Sequence, residues 1–246
     1  MLLASSVLLF SLLVACNNQE DNGTTTPVNN TNQETTNNSS TSEQKSGDIA
    51  SIFSKSDLTD SITIDSVNED PAIRAEQQTD KGTLIMISNG KEERGHLNVS
   101  STQGEEGDQT FQSNYSVIYR YDGQDKVLLE LPAYLFVQPS DKKITFEKVD
   151  FKDADVYVLT PQYKTGHGLE GYVFAIDKQS GDAFPLEIVK EGQVSKTLLY
   201  SESEPTLSVE SDALVVHPAT GAGTPDEDTN DLNYKLDLSK KQLIAD

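Results

Sequence analysis

The sequence predicts an all-β domain of antiparallel strands, and three observations carry that reading. From residue 61 onward the apolar and polar residues alternate mostly with a period of two, the repeat of a strand with one buried face. The alternating runs are dense in Thr, Val, Ile, Tyr and Phe, the residue types that fit a pleated surface. Between the runs stand turn-forming pairs and triplets: Asn89-Gly90, Asp122-Gly123, Ser180-Gly181-Asp182 and Glu191-Gly192.

Taken in order, the expected strands cover 61–65, 83–88, 96–100, 110–121, 126–131, 133–137 and 143–149. They continue at 155–160, 171–176, 183–189, 194–200, 206–209, 213–217 and 232–238. Helical signal is thin. Residues 49–58 place Ile49, Ile52, Phe53 and Leu58 partly at helical spacing, and 71–78 opens on Pro71, which a first helical turn tolerates. Both are expected as short helices.

Three segments share one pattern: YRYDGQDKVLLEL at 119–131, FAIDKQSGDAFPLEI at 174–188 and YKLDLSKKQLIAD at 234–246. Each is a strand ending in aspartate, a polar turn, then a second strand. An aspartate there hydrogen-bonds the turn backbone, which explains its use without chemistry. The pattern resembles the outer hairpins of β-propeller blades, and a twisted sandwich explains it equally. The expected fold is therefore antiparallel strands in a two-sheet sandwich-like or small β-propeller-like domain.

Composition divides the chain. Leu2 to Val14 is uncharged and largely apolar, about 20 Å long as a helix and too short for a bilayer core of roughly 30 Å. That length suits the apolar region of an export signal. Residues 13–16 read Leu-Val-Ala-Cys and resemble a bacterial lipobox, so the chain is similar to bacterial lipoproteins over residues 1–16. The resemblance implies that Cys16 carries a diacylglyceryl group and that 1–15 are a signal peptide removed before it. No Lys or Arg precedes the apolar run, which points to a weak signal or to a start upstream of Met1. Two or more acyl chains hold stably in a bilayer, at about 0.8 kcal/mol per buried methylene. The expected location is the outer, extracytoplasmic face of the cell membrane.

Residues 17–47 are almost entirely Asn, Thr, Ser, Gln and acid, with Val28 the sole aliphatic. Such a segment cannot bury enough apolar surface to offset its ordering entropy and is expected to be a disordered tether. As a coil its ends lie roughly 30 Å apart. Residues 48–246 are left as one acidic domain, large enough for one core.

The net charge is −21. Glu20, Asp21, Glu34 and Glu43 against Lys45 give the tether −3, so −18 falls on the domain. Phosphate recognition needs clustered Lys and Arg, so this surface excludes nucleic acid as a partner. Cys16 is the single cysteine, so no intrachain disulfide forms.

Among candidate sites, GTPDEDTNDLNYKLD at 223–237 sets Asp226, Asp228 and Asn230 at alternate positions, in the manner of a calcium loop. It departs from that pattern at Asp231, where a glycine belongs, and at Asp237, where a glutamate belongs. Calcium is the one cofactor these residues suggest; an acidic solvated turn is the plainer reading. YKTGHGLEGY at 163–172 is a glycine-rich loop with His167 and Glu170, not placed to cradle phosphate. His96, His167 and His217 share no ligand spacing, and no Gly-x-Ser-x-Gly elbow occurs. The expected function is a lipid-anchored lipoprotein whose domain acts as a non-catalytic binding module. Its expected partners are the membrane, through Cys16, and an envelope protein or polysaccharide. A carboxylate-based envelope hydrolase and a calcium-modulated adhesion or sensor module are the alternatives.

Overall fold

Strand β8, Ala154–Leu159, is buried at all six positions. A strand pleats its side chains alternately to the two faces of its sheet, so a fully buried strand belongs to a sheet covered on both sides. Ala154, Val156 and Val158 contribute to one hydrophobic cluster, and Tyr157 and Leu159 to another. The neighbouring strand β9, Leu169–Asp177, divides in the same way, Val173 and Ala175 to one side and Phe174 and Ile176 to the other. The computed structural model, which describes residues 49–54, 59–220 and 229–246, therefore builds three stacked sheets. All described residues belong to the unit Glu43–Asp246.

The N-terminal sheet contains β1 (Ile62–Asn68), β2 (Ile73–Gln78), β3 (Thr83–Ser88), β4 (Glu92–Leu97), β5 (Gln109–Tyr121) and β6 (Gln124–Gln138). β5 is long enough to pair β4 along its first half and β3 along its second, with β6 on its other side. The central sheet contains β7 (Phe146–Asp150), β8, β9, β10 (Ala183–Pro185) and β13 (Thr197–Tyr200). The C-terminal sheet runs β12 (Gln193–Ser195), β11 (Glu187–Lys190), β17 (Gln242–Ala245), β16 (Leu232–Asp237), β15 (Ala213–Val216) and β14 (Ser208–Glu210). All pairings between these strands are antiparallel except one. β17 lies parallel to β11, with Leu243 opposite Ile188. The antiparallel all-β class expected from the sequence holds, with sheets stacked face to face and no closed barrel.

Two expected strands change sheet partway along. Residues 183–189 pair with β9 as β10, then with β17 as β11; the break falls at Leu186. Residues 194–200 pair with β11 as β12, then with β9 as β13; the break falls at Lys196. Two chain segments thus form the corner between the central and C-terminal sheets, the device by which stacked sheets share strands. Conversely, 126–131 and 133–137 are one strand, β6, whose irregularity absorbs Pro132 and the positive φ of Ala133.

The helix expected over 71–78 is a correction: Ile73–Gln78 is strand β2. Ladder pairing to β3 and burial of Arg74 and Ala75 outweigh the mild helix preference of Ala, Glu and Gln. Over 49–58, residues 49–54 form no helix, 55–58 lie outside the described residues, and Thr59–Ser61 is one 3-10 turn. The strand expected at 96–100 is displaced to Glu92–Leu97, because three consecutive charged residues there are held by partners. Glu92 is fully buried. It accepts from Arg74 Nε at 2.7 Å, from Tyr115 Oη at 2.7 Å and from Arg94 Nε at 3.2 Å. The Arg74 guanidinium also lies over the Phe111 ring, 3.9 Å from its centroid. Glu93 accepts from Ser51 Oγ and from Ile52 N, which fastens the incoming chain to β4.

Two of the three aspartate hairpins are capped as expected. Asp177 Oδ1 accepts from Ser180 N at 2.6 Å, and Asp237 Oδ1 accepts from Ser239 Oγ at 2.7 Å and Lys240 N at 3.1 Å. The Ser239 hydroxyl, with the Lys240 amide, holds the Asp237 carboxyl down at about 2. In the first hairpin Asp122 takes positive φ itself.

Burial works to raise the pKa of Glu92, but hydrogen bonds from Arg74 and Tyr115 and the Arg74 charge outweigh it, so its carboxyl titrates below the ordinary value. A depressed folded pKa gives stability that is present above the unfolded value near 4.3 and is lost as pH falls through the folded one. Glu92→Gln strands Arg74 without its counter-charge and should cost about 3–5 kcal/mol at pH 7. Thermal melts from pH 7 to pH 3 should show the wild-type advantage over this variant shrinking toward acid.

Candidate functional site

The corner between the central and C-terminal sheets holds a wide groove of about 510 Å³. One wall comes from the C-terminal sheet, with Ile188, Leu232 and Tyr234. The other comes from the segment that crosses between sheets, with Val194, Thr197 and Leu199. Val194 is 59% exposed and Leu199 49% exposed, so this wall presents aliphatic side chains to solvent instead of to a core. Glu170, Lys190 and Glu191 supply charge around the apolar lining.

The glycine-rich loop and the segment after β15 meet beside this groove. The loop is held by its own backbone: Thr165 N and Gly166 N both donate to Glu202 Oε2, at 2.9 Å each. Thr165 Oγ1 donates to the Gly168 carbonyl and accepts from His167 N at 3.0 Å. Gly168 has φ of +100°, and a Cβ there would lie 2.3 Å from the Ala219 Cβ and 2.8 Å from the Tyr200 carbonyl oxygen. Glycine at 168 is what lets the loop close on Ala219. Ser201 N donates to the His217 carbonyl at 2.8 Å and ties the base of this contact. Ala219 lines the groove and also a shallower hollow of about 290 Å³, which Gly166, Gly168 and Glu202 share. The two recesses form one composite surface with Ala219 between them.

The histidines are dispersed. His96 Nδ1 is 2.8 Å from Asp65 Oδ2 in the N-terminal sheet. His167 is exposed on the loop. His217 stands next to the groove, its Nδ1 2.5 Å from Asp231 Oδ1 and its Nε2 4.0 Å from Glu204 Oε2. The imidazole thus faces two carboxylates. Of the candidate calcium residues, Asp226 and Asp228 lie outside the described residues, and Asn230 is exposed beside Asp231. Among the described residues no three His, Cys, Asp or Glu side chains are grouped to hold a metal. Cys16 lies outside the described residues.

Most tyrosines serve packing. Tyr115, Tyr119 and Tyr157 are buried in the cluster between the N-terminal and central sheets. Tyr200 is buried in the other cluster, with its hydroxyl 2.7 Å from Thr160 Oγ1. Burial pushes the Tyr200 phenol upward.

Sequence reading singled out the glycine loop with His167 and Glu170 while favouring a plain turn there, and it offered no sign of Val194 and Leu199 as an exposed wall. Both sit inside the run 194–200, which reads as one strand and gives no sign of the change of sheet at Lys196. Comparison with protein-family models, with curated proteins and with solved structures returned no match.

Removing the Glu202 carboxylate should free the loop without unfolding the sheets. In Glu202→Ala, the amides of Thr165 and Gly166 should exchange with solvent about ten-fold faster, the loss of charge-assisted hydrogen bonds worth roughly 1.5 kcal/mol. Hydrogen-exchange mass spectrometry of the 160–170 peptides reads this directly.

Proposed function

We propose that the chain is a lipid-anchored extracytoplasmic lipoprotein whose β domain is a non-catalytic binding module at the cell envelope, engaging an envelope protein or polysaccharide through the corner groove. The observation that carries this reading is the groove wall itself. Folding ordinarily turns large aliphatic side chains inward, yet Val194 and Leu199 point out beside a recess lined by both apolar and polar side chains, with charge from Glu170, Lys190 and Glu191. An apolar patch rimmed by polar groups is the usual character of a recognition surface. The Leu-Val-Ala-Cys motif and the polar segment after it support a lipid anchor with a tether.

Cys16→Ala should shift the protein from the membrane fraction to the soluble fraction of lysed cells, as read by immunoblot; unchanged retention refutes the anchor. Independently, a photo-crosslinking residue placed at Leu199 in living cells should give a discrete higher-mass adduct. The same residue at Val127, equally exposed but on the N-terminal sheet, should give none. Equal adducts at both positions, or none at Leu199, would count against the groove.

A further inference from the structure

The two segments that change sheets leave a second cavity on the other side of their crossing. Leu186 and Lys196 mark the points where the two segments cross between the central sheet and the C-terminal one, in opposite directions. Facing them are Leu128 and Leu129 of β6, the edge strand of the N-terminal sheet. The cavity between them is about 220 Å³, and its wall is completed by Tyr172, Phe174 and Pro185. Its lining is therefore aliphatic and aromatic, apart from two charged residues, Glu187 and Lys196.

Those two charges are the informative feature. Among the described residues they make no ion pair with each other or with any third group. Glu187 accepts from the neutral Gln242 Nε2 at 3.1 Å, and Lys196 stands exposed without a partner. One cation and one anion, each unpaired, beside an apolar pocket complement a ligand with the opposite arrangement: a carboxylate, an ammonium and an apolar body. A free α-amino acid carries both charges at neutral pH, a carboxylate and an ammonium on the same carbon. The volume equals that of about seven waters at ~30 Å³ each, the size of one amino acid with a large apolar side chain.

We propose that this cavity binds a free amino acid with an aliphatic or aromatic side chain, Lys196 holding its carboxylate and Glu187 its ammonium. The side chain enters the apolar recess, and the few polar groups fix orientation, as in small-molecule sites generally. The inference goes beyond the groove reading and stands or falls separately from it, because it uses none of the groove's exposed wall.

The test is calorimetric titration of the full-length chain, purified in detergent, with L-leucine and L-phenylalanine at up to about 10 mM. Controls are glycine, 4-methylpentanoate, which lacks the ammonium, and 3-methylbutylamine, which lacks the carboxylate. Leucine and phenylalanine should saturate, glycine should not, and each singly charged analogue should bind at least ten-fold more weakly than leucine. Lys196→Gln should weaken leucine at least ten-fold while leaving 3-methylbutylamine unchanged, and Glu187→Gln should do the same while leaving 4-methylpentanoate unchanged. Both positions are exposed, so the variants should melt as the wild type does. No saturation by either amino acid, binding of glycine as tight as leucine, or analogues as tight as leucine would overturn the proposal. The analogue series decides it even where a variant is lost to misfolding.

Discussion

Burial of the central sheet on both faces is the constraint on which the rest of this fold depends. A sheet in that position can take almost no polar side chain without a partner, because an unpaired buried polar group costs free energy. The sequence obeys this closely: β8 is Ala-Asp-Val-Tyr-Val-Leu, and its one charged member, Asp155, lies 3.3 Å from Lys148 Nζ and 3.4 Å from Lys178 Nζ. Both outer sheets are needed to cover it. The N-terminal sheet brings Phe111, Tyr115, Val117 and Phe136 to one face, and the C-terminal sheet brings Leu214, Val216, Tyr234 and Leu243 to the other. The last of these sits on the terminal strand, so the parallel seam of β17 on β11 closes the second interface.

The N-terminal sheet solves a different problem. Its inner face contains Arg74 and Glu92, which would be ruinous there singly. Together with Tyr115, Arg94 and the Phe111 ring they form a closed set in which each charge meets a counter-charge, a hydrogen bond or an aromatic face. Such a cluster adds little net stability compared with apolar packing. It does penalise any register in which β2 and β4 fail to bring Arg74 to Glu92. One-residue slips invert the faces of a strand, and this pairing makes them costly at the place where β4 is otherwise the least hydrophobic strand of its sheet.

What the sequence made legible follows from the same physics. Runs of β-branched and aromatic residues bounded by turn residues located β3, β5, β8, β9, β15 and β16 closely, because those strands are built mainly from side chains that fit a pleated sheet. β2 and β4 were obscured because their buried side chains are charged, and a charge reads as surface until its partner is known. Sheet membership was not legible at all. Residues 183–189 and 194–200 each read as one continuous strand, and the backbone changes hydrogen-bonding partner at Leu186 and at Lys196. The candidate site inherits this limit. Glu170 and the loop glycines stand out as loop chemistry, whereas the exposure of Val194 and Leu199 is a consequence of which sheet each half of a strand joins.

The corner groove and the cavity across the crossing from it have that one cause. Where two stacked sheets share strands, the crossing segments must leave one plane for the other, and close packing of side chains on regular neighbours is interrupted on either side of the crossing. On one side this opens the groove of Val194, Leu199 and Tyr234. On the other, where the N-terminal sheet ends at β6, it opens the cavity of Leu128, Phe174 and Leu186. Lys196 is the pivot: the residue before it pairs in the C-terminal sheet and the residue after it pairs in the central sheet. A binding function placed at such a corner rests on a rigid scaffold, because the backbone that shapes both recesses is hydrogen-bonded into two sheets at once. Sequence change in the lining can then alter what is bound without disturbing the three-layer core that holds the corner in place.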